Sequence, residues 1–178
     1  MSRIVDRKVA FATPWFQLIS KQVEGESSPF YSLQMQDYVA VVAFTDQEEL
    51  LLVRQYRPAV ERHTLELPSG HIELNETPEE SARRELAEEC GFDAPHLQSL
   101  GTLISDTGRL ENRLWCYLAP RVSPLLAVHV PEQGVERILV PRARLPDLMA
   151  QGKFDHALHL AALMLAAVRC GPGLLALR

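Results

Sequence analysis

Two long apolar runs dominate the hydrophobic pattern of the chain and predict its central strands. Tyr38 to Phe44 has the sequence YVAVVAF, and Leu50 to Gln55 forms a second run after the polar turn Asp46 to Glu49. Neighbouring side chains of a strand point to opposite sides of a sheet, so a continuously apolar strand is buried on both faces. The pattern therefore predicts a sheet with a packed layer on each side.

Shorter patterns predict further strands around this pair. Segments bounded by Gly, Pro and Asp predict them at residues 4–12, 15–23, 30–35, 65–67, 98–104, 113–119 and 135–140. Longer apolar segments predict helices at residues 145–151 and 155–169. We interpret the order as a mixed, layered α/β fold. Residues 1–36 then form a small β-rich extension, and residues 37–178 form the main domain.

A further helix has well-defined ends in the sequence. Thr77 suits the N-cap, Pro78 suits the first helical position, and Glu80 completes a capping box three residues after the cap. Gly91 supplies the backbone freedom that ends a helix. The apolar positions between these ends recur every four residues and offer a narrow stripe to a core: Ala82, Leu86 and Cys90.

The same helix carries candidate metal ligands. Glu85, Glu88 and Glu89 stand at i, i+3 and i+4 and so share one face. Like charges repel, so this crowding does not stabilise a helix unless a cation offsets it, although an acidic helix face is often simply solvated. Oxygen ligands favour Mg²⁺ or Mn²⁺. Arg84 is positioned to orient the carboxylates, and the loop from Gly70 brings backbone carbonyls near.

The spacing of these residues resembles the signature of the Nudix hydrolases, G-x5-E-x7-R-E-U-x-E-E-x-G-U, where U is aliphatic or aromatic. The chain matches every specified position between Gly70 and Phe92. The resemblance implies an α/β/α sandwich around a mixed sheet. It also implies Mg²⁺- or Mn²⁺-dependent hydrolysis of nucleoside diphosphates linked to another group.

The resemblance also assigns roles within the signature. Glu85 and Glu89 are the expected main metal ligands, Glu88 is a further ligand or supports one, and the Ser69 carbonyl is another candidate ligand. The remaining signature residues are expected to shape the site: Arg84 holds the glutamates, Glu76 anchors the loop, and Gly70 and Gly91 allow its turns.

Flanking residues resemble the ADP-ribose pyrophosphatase and nucleotide-sugar hydrolase group. The segments Val53 to Pro58 (VRQYRP) and Leu65 to Gly70 (LELPSG) carry this likeness. It implies that Arg57 and Glu66 lie at the substrate or metal site, where Arg57 offers a fork of donors to a diphosphate. The alternative for Arg57 is an ion pair at a strand end.

Three more candidates for substrate contact follow from this subgroup. Trp15 is expected to stack on a base, unless it serves a core or a dimer interface. Arg109 and Glu111 lie in a loop where they either contact substrate or form a local ion pair. In that loop Asp106 replaces the proline usual in ADP-ribose pyrophosphatases, which weakens the expectation for ADP-ribose itself.

The general base is expected from a late loop, Pro131 to Glu136. Such a carboxylate activates water for attack at phosphorus. We select Glu132 and keep Glu136 as the alternative, and an ordinary exposed acid remains the competing interpretation.

Composition and charge limit the kinds of partner and the cellular location expected for the protein. The chain has 178 residues and a net charge of −5, without a basic block, which disfavours nucleic-acid binding. Its start lacks a signal-peptide core and residues 160–168 are too short for a membrane span, so we expect a cytoplasmic protein. Three separated cysteines are expected to be buried free thiols: Cys90, Cys116 and Cys170.

Together these features predict a Mg²⁺- or Mn²⁺-dependent enzyme that cleaves ADP-ribose-like nucleotide sugars, giving AMP and ribose 5-phosphate from ADP-ribose. Two alternatives stay open: another nucleotide sugar such as GDP-mannose or UDP-glucose, and an inactive Nudix sensor or interaction module. The subgroup resemblance also predicts a homodimer.

Overall fold

The computed structural model describes residues 3–126, 130 and 132–175. Its first three strands are β1 (Ile4–Ala12), β2 (Gln17–Val23) and β3 (Phe30–Gln34), which form a separate antiparallel sheet in the order β1-β2-β3. Backbone hydrogen bonds join this sheet to the main domain: Leu33 N–H donates to Arg109 O at 2.7 Å and Glu111 N–H donates to Leu33 O at 3.0 Å. The assignment of residues 1–36 and 37–178 to two units stays a prediction, and residues 1–2 and 176–178 lie outside the described part.

Among the described residues, the main domain contains eight further strands. They are β4 (Tyr38–Thr45), β5 (Glu49–Arg57), β6 (Arg62–Glu66), β7 (Ser69–His71), β8 (Phe92–Asp93), β9 (Gln98–Ile104), β10 (Arg113–Pro124) and β11 (Val135–Pro141). The central order is β11-β5-β4-β10-β8, with β6 beside β5, β7 beside β4 and β9 beside β10. β4 and β10 run parallel while the other pairs are antiparallel, so the predicted mixed sheet is confirmed.

Three α-helices accompany this sheet within the described ranges. They are α1 (Pro78–Glu85), α2 (Leu145–Ala150) and α3 (Ala157–Cys170), with short 3₁₀ turns at Arg142–Arg144 and Pro172–Leu175. The predicted helices at 145–151 and 155–169 are therefore confirmed to within two residues at each end, which is the usual uncertainty of helix boundaries. None of the helices described is long and apolar enough to cross a membrane.

The continuous apolar run of β4 is buried on both faces, as predicted. Ala40, Val42 and Phe44 pack into one core with the buried side of α3. The intervening residues of β4 enter a second core on the opposite face: Val39, Val41 and Ala43. They pack there with the apolar residues of α1 and of the turn that follows it: Ala82, Leu86 and Cys90. Helices thus cover both faces, and the expected α/β/α sandwich is confirmed.

The ends of α1 follow its sequence. Glu80 N–H donates to Thr77 Oγ1 at 3.2 Å and Thr77 N–H donates to Glu80 Oε2 at 2.7 Å, which completes the predicted capping box. After Glu85 the helix widens into a π-helical turn, Leu86–Cys90, which apolar spacing did not predict. Gly91 ends this turn in the left-handed region with φ of 70°, where glycine avoids the strain of a Cβ atom.

The expectation for the cysteines is confirmed for two of the three. Cys90 and Cys116 are buried free thiols, and burial raises the pKa of each to about 12. The expectation is wrong for Cys170, which is exposed. This residue is the last of α3, next to the charged Arg169, where the helix extends beyond the core.

The two cores make a direct prediction about Leu86. Replacing this fully buried residue by Ala removes packed methyl groups and leaves a cavity, so we expect the free energy of unfolding to fall by about 2–5 kcal/mol. The matched control is Leu74→Ala, since Leu74 is 89% exposed and its loss is expected to change stability by less than about 0.5 kcal/mol. Urea denaturation of both variants measures this, and equal effects would contradict the packing of α1 against the sheet.

Candidate active site

An open cavity of about 690 Å³ lies between the π-helical turn after α1, the end of β5 and the start of α3. It brings together residues from distant parts of the sequence. Among those that line it are Arg57, Glu66, Ser69, Gly70, Arg84, Glu85, Glu88, Glu89, Glu132, His156 and His159. Most of the residues predicted for catalysis therefore share one cavity.

Glu85 and Glu89 form the buried part of the acidic wall. Their relative exposures are only 7% and 4%. Burial raises the pKa of Glu85, and it raises the pKa of Glu89 to about 8, with the neighbouring charges of Glu85 and Glu132 adding to the effect. The fold therefore holds two carboxylates where their ionised forms are disfavoured.

The glycine at the start of the signature is required by a close approach. A Cβ atom at Gly70 would lie 1.9 Å from Oε1 of Glu85, well inside van der Waals contact. On the other side of the pair, Ser69 N–H donates to Glu89 Oε2 at 2.9 Å. Both carboxylates therefore contact the backbone of β7 directly.

Arg84 connects the acidic residues to the loop. Its guanidinium donates to both carboxylate oxygens of Glu76 at 3.0 Å, to Glu85 Oε1 at 2.7 Å and to Glu88 Oε2 at 3.0 Å. A fifth hydrogen bond of 2.9 Å reaches the carbonyl of His71. These contacts hold the pKa of Glu76 down at about 2. Arg84 therefore contacts Glu76, Glu85 and Glu88, and its role in holding the metal-binding glutamates stays a prediction.

This donor set fits a hard divalent cation. Glu85 and Glu89 offer carboxylate oxygens whose mutual repulsion a cation would offset, and the close packing at Gly70 fixes one of them. Glu88 is the exposed member of the trio, with a side-chain exposure of 55%. Ser69 lies beside Glu89, so its carbonyl remains a candidate ligand.

Arg57 and Glu66 form a two-pronged ion pair within the cavity. Nε and Nη2 of Arg57 donate to the two oxygens of Glu66 at 2.8 and 2.7 Å, and Thr64 Oγ1 adds a third hydrogen bond at 2.6 Å. These bonds overcome burial and hold the pKa of Glu66 at about 2. Arg57 is thus paired at a strand end and also lines the cavity, and its contact with substrate stays a prediction.

The two candidates for the general base occupy different places. Glu132 lines the cavity, close enough to raise the pKa values of Glu85 and Glu89. Glu136 lies in β11, where it accepts a hydrogen bond of 3.1 Å from the exposed Arg54. Pro131, at the start of the predicted loop, lies outside the described residues.

Arg109 and Glu111 are not among the residues that line the cavity, and within the described ranges they form no ion pair with each other. Glu111 instead binds Arg7 and Lys21 at 2.7 Å each and accepts from Ser32 Oγ at 2.5 Å. Arg109 lies over the ring of Phe30 at 5.2 Å. Both residues therefore connect their loop to the N-terminal sheet.

Asp106 and Trp15 have clear local settings. Asp106 Oδ1 accepts from Gly108 N–H at 2.7 Å, so it stabilises a turn at the position where the subgroup resemblance implies proline. Trp15 lies in the turn before β2 rather than in a strand and is 80% exposed, which excludes a core role within this chain. It does not line the cavity of its own chain.

The cavity also contains a histidine cluster that the sequence did not predict. One ligand atom each from Glu66, His156 and His159 lies within 4.8 Å of the others. The signal available in the sequence was weak: two histidines at i and i+3, with His156 at the N-cap of the last predicted helix. Their approach to Glu66 depends on packing between distant segments.

The family model of the NUDIX domain matches residues 35–159. An ADP-ribose pyrophosphatase of Bacillus subtilis (strain 168) is 37% identical over 87 residues, 49% of this chain and 47% of that protein. The ADP compounds hydrolase NudE of Escherichia coli (strain K12) is 28% identical over 127 residues, 71% of this chain and 68% of the relative.

A solved structure extends the likeness in fold. A crystal structure of an ADP compounds hydrolase superimposes with a TM-score of 0.80 at 24% identity, covering 94% of this chain and 93% of that one. The alignment with the Bacillus subtilis protein, by contrast, spans only about half the length of that relative. The domain match covers most of the present chain and includes the whole acidic signature. The chain therefore belongs to the NUDIX family.

Proposed function

We propose that the protein hydrolyses the pyrophosphate bond of ADP-ribose-like nucleoside diphosphate sugars with Mg²⁺ or Mn²⁺, converting ADP-ribose and water into AMP and ribose 5-phosphate. The observation that carries this proposal is the pair of buried carboxylates, Glu85 and Glu89, in the cavity wall. The names of the similar proteins, an ADP-ribose pyrophosphatase and an ADP compounds hydrolase, support the substrate class.

The acidic wall would hold the cation. Glu85 and Glu89 supply the main oxygen ligands, with Glu88 and the Ser69 carbonyl beside them, while Arg84 and Glu76 keep the first two in place. When bound, the divalent metal neutralises charge on the pyrophosphate and lowers the pKa of a bound water. The chain's own residues then position the diphosphate and accept the proton of water.

The substrate would lie between this wall and Arg57. The guanidinium of Arg57 is half exposed toward the cavity and remains charged, because pairing with Glu66 raises its pKa. It can therefore donate to a phosphoryl oxygen while Glu66 fixes its orientation. Glu132 is the proposed base, since it faces the same cavity and carries no ion pair among the described residues.

Arg109 and Glu111 are proposed to have a structural role instead, because both contact side chains of the N-terminal sheet. Trp15 is proposed as a base-stacking residue that acts on the cavity of a second copy, because it is exposed and is not among the residues that line its own cavity. The proposed assembly is a homodimer through the N-terminal sheet, whose strand β1 is exposed along its whole length.

The metal assignment predicts the behaviour of Glu85→Gln and Glu89→Gln. Each is expected to lower kcat/KM for ADP-ribose roughly 10²–10⁴-fold. The reason is that each substitution removes a metal ligand, and the metal stabilises the charge that develops in the transition state by several kcal/mol. Each is also expected to lose the rise in Tm on adding Mg²⁺. Without added metal their stability should not fall, since a neutral amide replaces a carboxylate whose charge is disfavoured by burial.

The matched control is Glu79→Gln, an exposed glutamate on the same helix that pairs with Arg83 at 3.1 Å. It should keep both activity and the Mg²⁺-dependent rise in Tm. Unchanged turnover in the Glu85 and Glu89 variants would refute the metal site. A wild-type protein that is stabilised by ADP-ribose yet releases no AMP would instead favour the inactive sensor or interaction module.

The assignment of the base predicts a different pattern. We expect Glu132→Gln to lower kcat about 10²–10⁴-fold while leaving the Mg²⁺-dependent rise in Tm nearly intact, because proton transfer and metal binding are separated. Glu136→Gln should have little effect, since Glu136 pairs with Arg54 instead of lining the cavity. Steady-state kinetics with ADP-ribose measures both, and loss of activity in the Glu136 variant alone would reverse the assignment.

The proposed dimer makes a prediction about mass. Sedimentation velocity should give twice the chain mass of 20.0 kDa for the wild type and the single-chain mass for Val9→Glu, which places a charge on the exposed apolar β1. Val168→Glu alters a more exposed residue on α3, 74% against 55% for Val9, and should leave the dimer intact. A wild type that sediments as a single chain at micromolar concentration would exclude this assembly.

A further inference from the structure

The two histidines at the start of α3 form a stacked pair in the cavity wall. Their ring centroids lie 3.8 Å apart at an interplanar angle of 20°. His159 is 1% exposed, whereas His156 is half-buried, and both line the cavity beside Arg57 and Glu66. Nothing in the proposed metal site or proton transfer uses either ring.

Backbone hydrogen bonds fix the tautomer of both rings. Leu67 N–H donates to His159 Nδ1 at 3.1 Å, and His159 N–H donates to His156 Nδ1 at 3.3 Å. A backbone N–H can only donate, so each Nδ1 acts as an acceptor and the proton of each neutral ring lies on Nε2. Burial lowers the pKa of both rings, that of His159 to about 3, which keeps them neutral.

This arrangement argues against a metal site at Glu66, His156 and His159, although their ligand atoms lie within 4.8 Å of one another. A metal at Nε2 would need the proton to move to Nδ1, where it would oppose a backbone N–H. A metal at Nδ1 would displace the same backbone bonds. Glu66 already accepts three hydrogen bonds from Arg57 and Thr64.

The pair therefore presents N–H groups to the cavity. Among the described residues neither Nε2 takes part in a hydrogen bond. Neither Nε2 is one of the described side-chain atoms that are fully buried without a hydrogen bond, so each stays accessible at the cavity wall, where a ligand oxygen can accept from it. Because His156 is the more exposed of the two, it is the ring that a ligand can reach, and stacking on His159 holds its plane.

We propose that His156 donates a hydrogen bond from Nε2 to an oxygen of the nucleoside diphosphate sugar, either a phosphoryl oxygen or a hydroxyl of the terminal sugar. This rests on the proposed function of the cavity. His159 is the positioning residue, since it supports the ring of His156 through stacking and through its own backbone N–H.

Two substitutions separate this contact from the role of His156 as N-cap of α3. His156→Asn keeps an acceptor near the position of Nδ1, and Asn is a favoured N-cap, but its side chain is too short to replace the Nε2 donor. His156→Gln places an amide N–H at about the reach of Nε2 but is a poor cap. If His156 contacts the ligand, the Asn variant is the more damaged of the two, because it lacks the donor. If His156 serves only as the helix cap, the Gln variant is the more damaged.

We expect His156→Asn to raise the KM for ADP-ribose roughly 10-fold or more with a smaller change in kcat, and to keep the wild-type Tm. His156→Gln should keep KM within a few-fold of the wild type while its Tm falls by about 2–4 °C through loss of the cap. His96→Asn, at an exposed position outside the cavity, serves as the control and should change neither quantity.

Calorimetric Kd values for ADP-ribose and ADP in the presence of a chelator give a readout that does not need catalysis. Equal weakening of both ligands in His156→Asn would assign the contact to the diphosphate, and weakening of ADP-ribose alone would assign it to the terminal sugar. An unchanged Kd for both ligands, or equal losses in the Asn and Gln variants, would overturn the proposal.

The two proposals fail separately. If the wild type binds ADP-ribose but does not cleave it, the hydrolase function fails while the Kd comparison still tests His156. If it cleaves ADP-ribose and His156→Asn binds and turns over like the wild type, only the histidine contact fails. A wild type that neither binds nor cleaves either nucleotide would overturn both.

Discussion

Burial of two like-charged carboxylates is the constraint on which the candidate site depends. Glu85 and Glu89 are almost inaccessible to solvent, and the raised pKa of each records that the fold disfavours their ionised forms. An ionised group removed from water costs several kcal/mol unless opposite charge and hydrogen bonds offset it. Arg84 and the Ser69 N–H offset only part of this cost, so the arrangement favours a bound cation.

The surrounding structure keeps these carboxylates in place by tying the helix to the sheet at several points. The apolar stripe of α1 anchors it in the core, and the capping box at Thr77 fixes its start. Arg84 then links the helix to Glu76 in the loop and to the carbonyl of His71 in β7. Because the same β7 backbone contacts Glu85 and Glu89, a shift of either element would separate the carboxylates from their supports.

Features with a local or periodic cause could be predicted from the sequence. The continuously apolar run of β4 predicted a packed layer on each face of the sheet, and the cap residues predicted where the helix begins and ends. Both features depend on residues that are close together in the sequence. The histidine pair could not be predicted, since His159 reaches Leu67 only through packing of segments 92 residues apart. The contacts of Glu111 could not be predicted for the same reason, as its partners Lys21 and Ser32 lie in a different sheet.

Those long-range contacts connect two features that the sequence analysis treated separately. Glu111 is held by Lys21 and Arg7, and the loop that contains it also pairs with Leu33 of β3. In the same loop Ser105 Oγ lies 3.3 Å from the hydroxyl of Tyr38, and both residues line the cavity. The N-terminal sheet therefore supports one wall of the cavity directly. Because backbone hydrogen bonds join β3 to this loop and Leu110 of the loop lines the cavity, a change in the N-terminal sheet would reach the cavity through the loop.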